Sequence, residues 1–287
     1  MSEVYCVYSD REFPASETTP EHIIPLALGG KNGFTIPVQR TFNAGLGHTI
    51  DAAIANDPIL KMKRAKLDLR GHNSWPVKAR WTKTIDQNGN PLQVEIDKKG
   101  LRVRDPKTKR YLSNSETSSL VLSSNLKIDV MARMPFSAKV ALGTGYFLFG
   151  DTFRNYADHH ELRDVIRPID AISEEILRAN KLHYLDPIFD PKKDRADVRH
   201  KAIELVLRSL GCAGVVFTRG PGRLFFSIGL LGEWFSTVTV PADDYAFPHE
   251  DDFDLGHVVV LKPGGLGRFS FLEAGKRMQK LLNKKQD

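Results

Sequence analysis

The sequence predicts an α+β chain in three parts, and three observations carry that reading. Residues 1–75 hold short strand-like pieces around a Gly29-Gly30 turn, followed by a helical stripe. Residues 76–112 hold two alternating runs on either side of Asn88-Gly89-Asn90. Residues 113–287 form a larger α/β part that mixes helical and strand-like periods. At 287 residues the chain is long enough for more than one domain and at least one sizeable core.

Each element has a local reason. In "FNAGLGHTIDAAIAND", Leu46, Ile50 and Ile54 recur every four residues, the spacing of one helix face. Gly45 and Gly47 weaken that helix and Pro58 stops it. "VKARWTKTID" and "LQVEID" make a hairpin about the Asn-Gly turn, and "GLRVRD" adds a strand. A Ser/Asn-rich link, "SNSETSSLVLSSN", opens the third part. Helices are expected from "AKVALGTGYFLFGDTFRNYA", "DAISEEILRANKLHYL" and "ADVRHKAIELVLRSLG", the last ending at Gly211. Strands are expected from "AGVVFT", "RLFFSIGLLGEWFSTVTVP" and "HVVVLKP", "PGGLGRF" reads as a turn, and "FLEAGKRMQKLLNKK" closes the chain as a basic amphipathic helix.

Composition narrows the function classes. A hydrophobic share of 41% with 26% charged residues describes a globular protein and argues against disorder. No run approaches the roughly 18–20 apolar residues that span a bilayer, so no membrane role is expected. "MSEVYCVYSDREF" lacks a basic start followed by an apolar run, and the two cysteines, Cys6 and Cys212, suit a reducing interior. A cytoplasmic location is expected. Across residues 61–110, fifteen Lys or Arg face five Asp or Glu, while the whole chain carries only +6. Such a local positive field attracts phosphate backbones; a solvated, lysine-rich β-surface is the alternative.

The chemistry-bearing candidates lie near the start. A Walker-type loop, an HExxH helix and a GxSxG elbow are all missing. "EHIIPLALGGKN" instead sets Glu21 beside His22 ahead of a glycine turn, and Asn43 follows 21 residues after the histidine, with "GHTID" beyond. This combination resembles the HNH (ββα-metal) endonucleases, in the subgroup that reads roughly "EHIIP…LGG…CN…G..ID". It covers residues 6–51 and extends to about 75.

The resemblance implies a metal-dependent endonuclease hydrolysing DNA phosphodiester bonds, in a setting such as restriction or phage defence. His22 would be the general base, for which an imidazole's ordinary pKa of about 6.5 is suited. Glu21 and Asn43 would be metal ligands. Asp51 is a further candidate ligand because Asn43, Gly47 and Asp51 share one helical face. Oxygen donors favour Mg²⁺ or Mn²⁺. Adjacent strand residues point to opposite sides, so a bulge or kink is expected where Glu21 and His22 serve one phosphate.

Departures from the family pattern carry expectations of their own. Thr35 stands near the middle asparagine, leaving a hydroxyl or a backbone carbonyl to orient the base. Of the usual cysteine pairs only Cys6 survives, with Ser9, Gln39 and Phe42 at the other positions. One local thiolate cannot build a four-sulfur site, so no structural zinc is expected. Packing by Tyr5, Tyr8, Phe13, Phe34 and Phe42 should hold the hairpin instead.

Nucleic-acid contacts are expected from Arg40, His48, Arg70, Lys78 and Arg80. Trp75 and Trp81 read more readily as core than as stacking platforms. His159 and His160 read as solvated helix surface, "FPHEDDFDLGH" as an acidic solvent-facing loop, and Cys212 as a small core residue. DNA is the expected partner, with RNA open. A double-strand cut would need a homodimer or two successive nicks. The rival function is a non-catalytic nucleic-acid-binding module on a degenerate HNH scaffold.

Overall fold

The computed structural model describes residues 2–71, 75–166, 182–188, 204–209, 213–248, 258–262 and 264–283. The chain is α+β, and every strand pair among the described residues is antiparallel. It forms two compact units, residues 1–52 with 130–287, and residues 53–129.

The first unit opens with two hairpins. Strand β1 (Glu3–Cys6) pairs with β2 (Arg11–Pro14), and β3 (Thr18–His22) pairs with β4 (Thr35–Gln39). The β3–β4 loop is clasped by its own backbone, as Pro25 O accepts from the amides of Leu28 and Gly30. Helix α1 (Arg40–Leu46) packs on β3 and β4, and a π-helical turn at Gly47–Asp51 leads to α2 (Ala52–Asn56). Gly45 precedes the π-turn and Gly47 opens it, consistent with local weakening of the α-helix.

Helix α5 (Val130–Phe149) is the spine of this unit. A helix apolar nearly all round must be buried, and this one is buried along most of its length. It packs on β4 and the π-turn and also on two strands of a large sheet. Tyr5 meets Tyr146 and Phe34 meets Phe147 at ring separations of 5.3 and 5.0 Å, and Phe136 meets Phe235 at 5.6 Å. Two short helices follow, α6 (Asp151–Tyr156) and α7 (His160–Val165).

The large sheet has six strands in the order β14-β13-β10-β11-β12-β9. They are β9 (His183–Leu185), β10 (Ala213–Gly220), β11 (Arg223–Leu230), β12 (Glu233–Pro241), β13 (Val258–Lys262) and β14 (Gly265–Phe269). Leu231 and Gly232 both have positive φ, the backbone of a tight turn whose twist matches its flanking strands. The closing helix α8 (Phe271–Asn283) lays Ala274 and Met278 against Val258, Val260 and Phe269.

Two local readings are corrected here. "PGGLGRF" is not only a turn, because Gly265–Phe269 pairs residue by residue with β13. Its glycines hid a strand whose order comes from the partner ladder. Residues 183–185, expected to end a helix, pair with the edge of β12. The rest of that helix, most of the 196–211 helix, the acidic loop from His249 to His257, and Cys212 lie outside the described residues.

The second unit lays helix α3 (Pro58–Leu67) on a sheet of order β7-β6-β5-β8. Asp57 caps α3, its Oδ1 accepting from the amides of Ile59 and Leu60. The strands are β5 (Ala79–Ile85), β6 (Pro91–Asp97), β7 (Gly100–Arg104) and β8 (Ser123–Ser124), and helix α4 (Asn114–Thr117) lies between β7 and β8. The core joins Ala65, Ala79, Val94 and Ile96 with Met62, Val77, Trp81 and Leu122.

The glycine pair at 29–30 yields a graded prediction. A Cβ on Gly30 would lie 1.7 Å from the carbonyl oxygen of Ile24, a collision with backbone that no side-chain shift relieves. Gly29 has φ 96°, a backbone conformation strained for other residues. Gly30→Ala is expected to cost more than about 2 kcal/mol and Gly29→Ala about 1 kcal/mol, read from urea-unfolding midpoints.

Candidate active site

The hairpin, the π-turn and α5 bring Glu21, His22 and Asp51 into one neighbourhood, though not in the expected arrangement. The β3–β4 register runs unbroken, with Glu21 opposite Ile36 and His22 opposite Thr35. The expected bulge is absent from this pairing. A regular pleat sends the two side chains to opposite sides, and Glu21 is buried while His22 is half-buried.

Glu21 turns inward to a residue that the motif did not include. Lys139, on α5 and completely buried, forms ion pairs with Glu21 and Asp51. Its Nζ donates to Asp51 Oδ1 and Oδ2 at 2.9 and 2.7 Å and to the His22 carbonyl oxygen at 3.3 Å. Asp51, expected as a ligand on the face of Asn43, thus has both oxygens engaged by an ammonium. Burial pushes the Asp51 carboxyl up to about 6, against the pull of Lys139. Burial alone would lower the Lys139 pKa, but its two carboxylate neighbours raise it above the ordinary lysine value.

The His22 ring is held by another residue. Asn32 Oδ1 accepts from His22 Nε2 at 3.0 Å, while Thr35 donates its hydroxyl to the Asn32 carbonyl at 3.4 Å. The orienting group is therefore an amide just beyond the glycine turn. With Nε2 carrying the proton, Nδ1 is the atom that can receive one.

Asn43 is half-buried on α1, which packs against β3. The side chain of His48 lies outside the described residues. Tyr8 is buried near both carboxylates; burial and then the charges of Glu21 and Asp51 keep its hydroxyl protonated far above the usual range. That hydroxyl has no hydrogen-bond partner among the described residues, and a Cβ on Gly143 would approach it to 3.1 Å.

A divalent cation does not fit between Glu21 and Asp51, because the fully buried Lys139 ammonium already holds that position. Among the described residues, no group of three His, Cys, Asp or Glu side chains could hold a metal ion. Where the family pattern has cysteine clamps, Cys6 Sγ accepts from the Gln39 amide at 3.5 Å. Tyr8 stacks with Phe42 at 6.1 Å, and Tyr5 and Phe34 are buried.

The basic residues are spread over both units. Arg40 donates to Ser16 O at 3.1 Å, and Arg70 pairs with Asp68 at 2.8 Å on the surface. Lys78, Arg80 and Arg102 all reach Glu95, at 3.5, 3.1 and 2.6 Å, and Arg102 also reaches Asp97. Burial would raise the Glu95 pKa, but its cationic neighbours outweigh that and hold it below the ordinary value. Trp81 packs in the core of the second unit, whereas Trp75 is 80% exposed.

His159 departs from its expected solvated role. It precedes α7, is buried, stacks near Phe153 at 5.6 Å, and places Nδ1 2.7 Å from Arg163 Nη1. The helix breaks between α6 and α7, and the break turns this ring inward. His160 remains exposed.

Two residues in the site escaped the sequence motif. Lys139 had a visible signal, a lone cation inside the apolar run "FSAKVALGTGYFLFG". Asn32 lay within the quoted motif but had no marker of its own. Compared with known proteins, the chain matches no family model, no curated protein and no solved structure. No helix among the described residues is long and apolar enough to cross a membrane.

Two stability predictions follow from these charges. Lys139→Met leaves two buried carboxylates facing each other and is expected to cost about 3–5 kcal/mol. Neutralising the cluster as Lys139→Met/Glu21→Gln/Asp51→Asn should recover most of that loss in urea unfolding. His159 is lowered to about 4 by burial and then by Arg163, so the unfolded chain binds more protons between about pH 6.5 and 4. Stability should fall as pH drops through that window, and His159→Gln should flatten the slope measured by urea midpoints.

Proposed function

We propose that this protein is an HNH-type endonuclease, hydrolysing phosphodiester bonds in DNA with His22 as the general base. The observation that carries the reading is the His22–Asn32 hydrogen bond at the loop end of the β3–β4 hairpin, whose first strand packs against the helix bearing Asn43. Asn32 holds the ring so that Nδ1 takes the proton of an attacking water. The water oxygen bonds to phosphorus as the bond to the leaving oxygen breaks, and that oxygen gains its proton from solvent. Glu21 and Asp51 shape the floor of the site through Lys139.

Arg40, Arg70, Lys78 and Arg80 are proposed to contact phosphates. Their surface positions and the charge excess over residues 61–110 support that role. The regular register that separates Glu21 from His22 favours a second reading, nucleic-acid binding without cleavage.

Supercoiled plasmid and single-stranded RNA, each with Mg²⁺ or with EDTA, separate the two. Nicking by the wild type is expected, with at least a 100-fold loss in His22→Ala and unchanged filter retention of the plasmid. Retention without cutting under every condition would establish the second reading. Wild-type cutting by His22→Ala would remove the histidine from the chemistry.

A further inference from the structure

We propose that Lys139 is an internal cation standing in place of a metal ion between Glu21 and Asp51, and that it positions His22; the positioning role rests on the hydrolysis proposed above. Metal-dependent sites of the type that the motif resembles gather carboxylate oxygen around a hard cation. Here the expected ligand Glu21 and the further candidate Asp51 gather around a primary ammonium. Three groups converge on one Nζ: Glu21 through an ion pair, Asp51 through both oxygens, and the carbonyl of the base residue itself. Four oxygens from these groups share the three hydrogens of one ammonium.

Lys139 cannot step aside for a metal. Its side chain is wholly buried on a helix enclosed along most of its length. Phe34–Phe147 packing holds that helix to the hairpin, and the buried Arg133–Asp186 pair, with contacts of 2.7 and 3.1 Å, ties it to the segment after β9. A divalent ion between the carboxylates would lie against the ammonium or leave it buried without a partner, both strongly unfavourable.

The same geometry reaches the base. By gripping the His22 carbonyl and the adjacent Glu21 carboxylate, Nζ fixes the end of β3 from which the imidazole projects. Lys139 does not reach solvent, so it acts on the reaction through His22 and not on a phosphate. Displacing a base by about an ångström costs on the order of 100-fold in rate.

The test pairs a binding measurement with a kinetic one, both on the full chain. Mn²⁺ titration followed by electron paramagnetic resonance compares wild type, Glu21→Gln and Lys139→Met. Wild type and Glu21→Gln should bind Mn²⁺ alike, and Lys139→Met should gain one site. A wild-type site lost in Glu21→Gln overturns the proposal, and this comparison needs no Lys139 variant to fold.

For the positioning role, the neutral triple variant Lys139→Met/Glu21→Gln/Asp51→Asn should lower kcat at least 100-fold with KM changed less than threefold. A folded triple variant that cuts at the wild-type rate refutes the role. Failure of the wild type to cut any substrate removes the hydrolysis and the positioning role together. The Mn²⁺ comparison then still decides which cation belongs between the carboxylates.

Discussion

A lysine ammonium sealed inside a helix is the constraint on which this site depends. Lys139 is acceptable there only because two carboxylates and a carbonyl surround it, and those acceptors come from a strand and a π-turn far away in sequence. Removing either side of the arrangement leaves charge in a medium that cannot solvate it. The hairpin, the π-turn and the spine helix are therefore one structural object. The motif-bearing segment has no boundary of its own in the first compact unit.

That dependence explains how the hairpin is packed without the cysteine clamps of the pattern it resembles. Tyr5 and Phe34 rest on Tyr146 and Phe147 of the spine, and Cys6 contributes a buried sulfur that takes the Gln39 amide. The same helix meets the six-stranded sheet through Phe136 and Phe235 and through the Ser137–Ser236 hydroxyl contact at 2.7 Å. One element thus anchors the His22 strand and ties it to the large sheet.

The positive charge concentrated in residues 61–110 is less free than its count suggests. Glu95 draws Lys78, Arg80 and Arg102 together on one strand-borne carboxylate, and Asp97 shares Arg102. Such partly exposed ion pairs contribute little to stability and leave the cations at the surface. A phosphate approaching that sheet would have to compete with Glu95 for them.

The hairpin about Asn88-Gly89, the glycine turn after His22, the helical stripe through Ile50 and Ile54 and the basic closing helix follow from local periodicity and turn chemistry, and all were legible in the sequence. So was the pairing of an acid and an imidazole at the end of a strand. Tertiary structure alone decided that Glu21 faces inward, that Asn32 and not Thr35 bonds the His22 ring, and that His159 is buried. It also made a strand of Gly265–Phe269. Each of these rests on a partner distant in the chain or on the direction of a pleat, and one-dimensional spacing encodes neither. Lys139 joins the two levels: the sequence displayed a charge in an apolar helix, and only folding supplied the carboxylates that make it tolerable there.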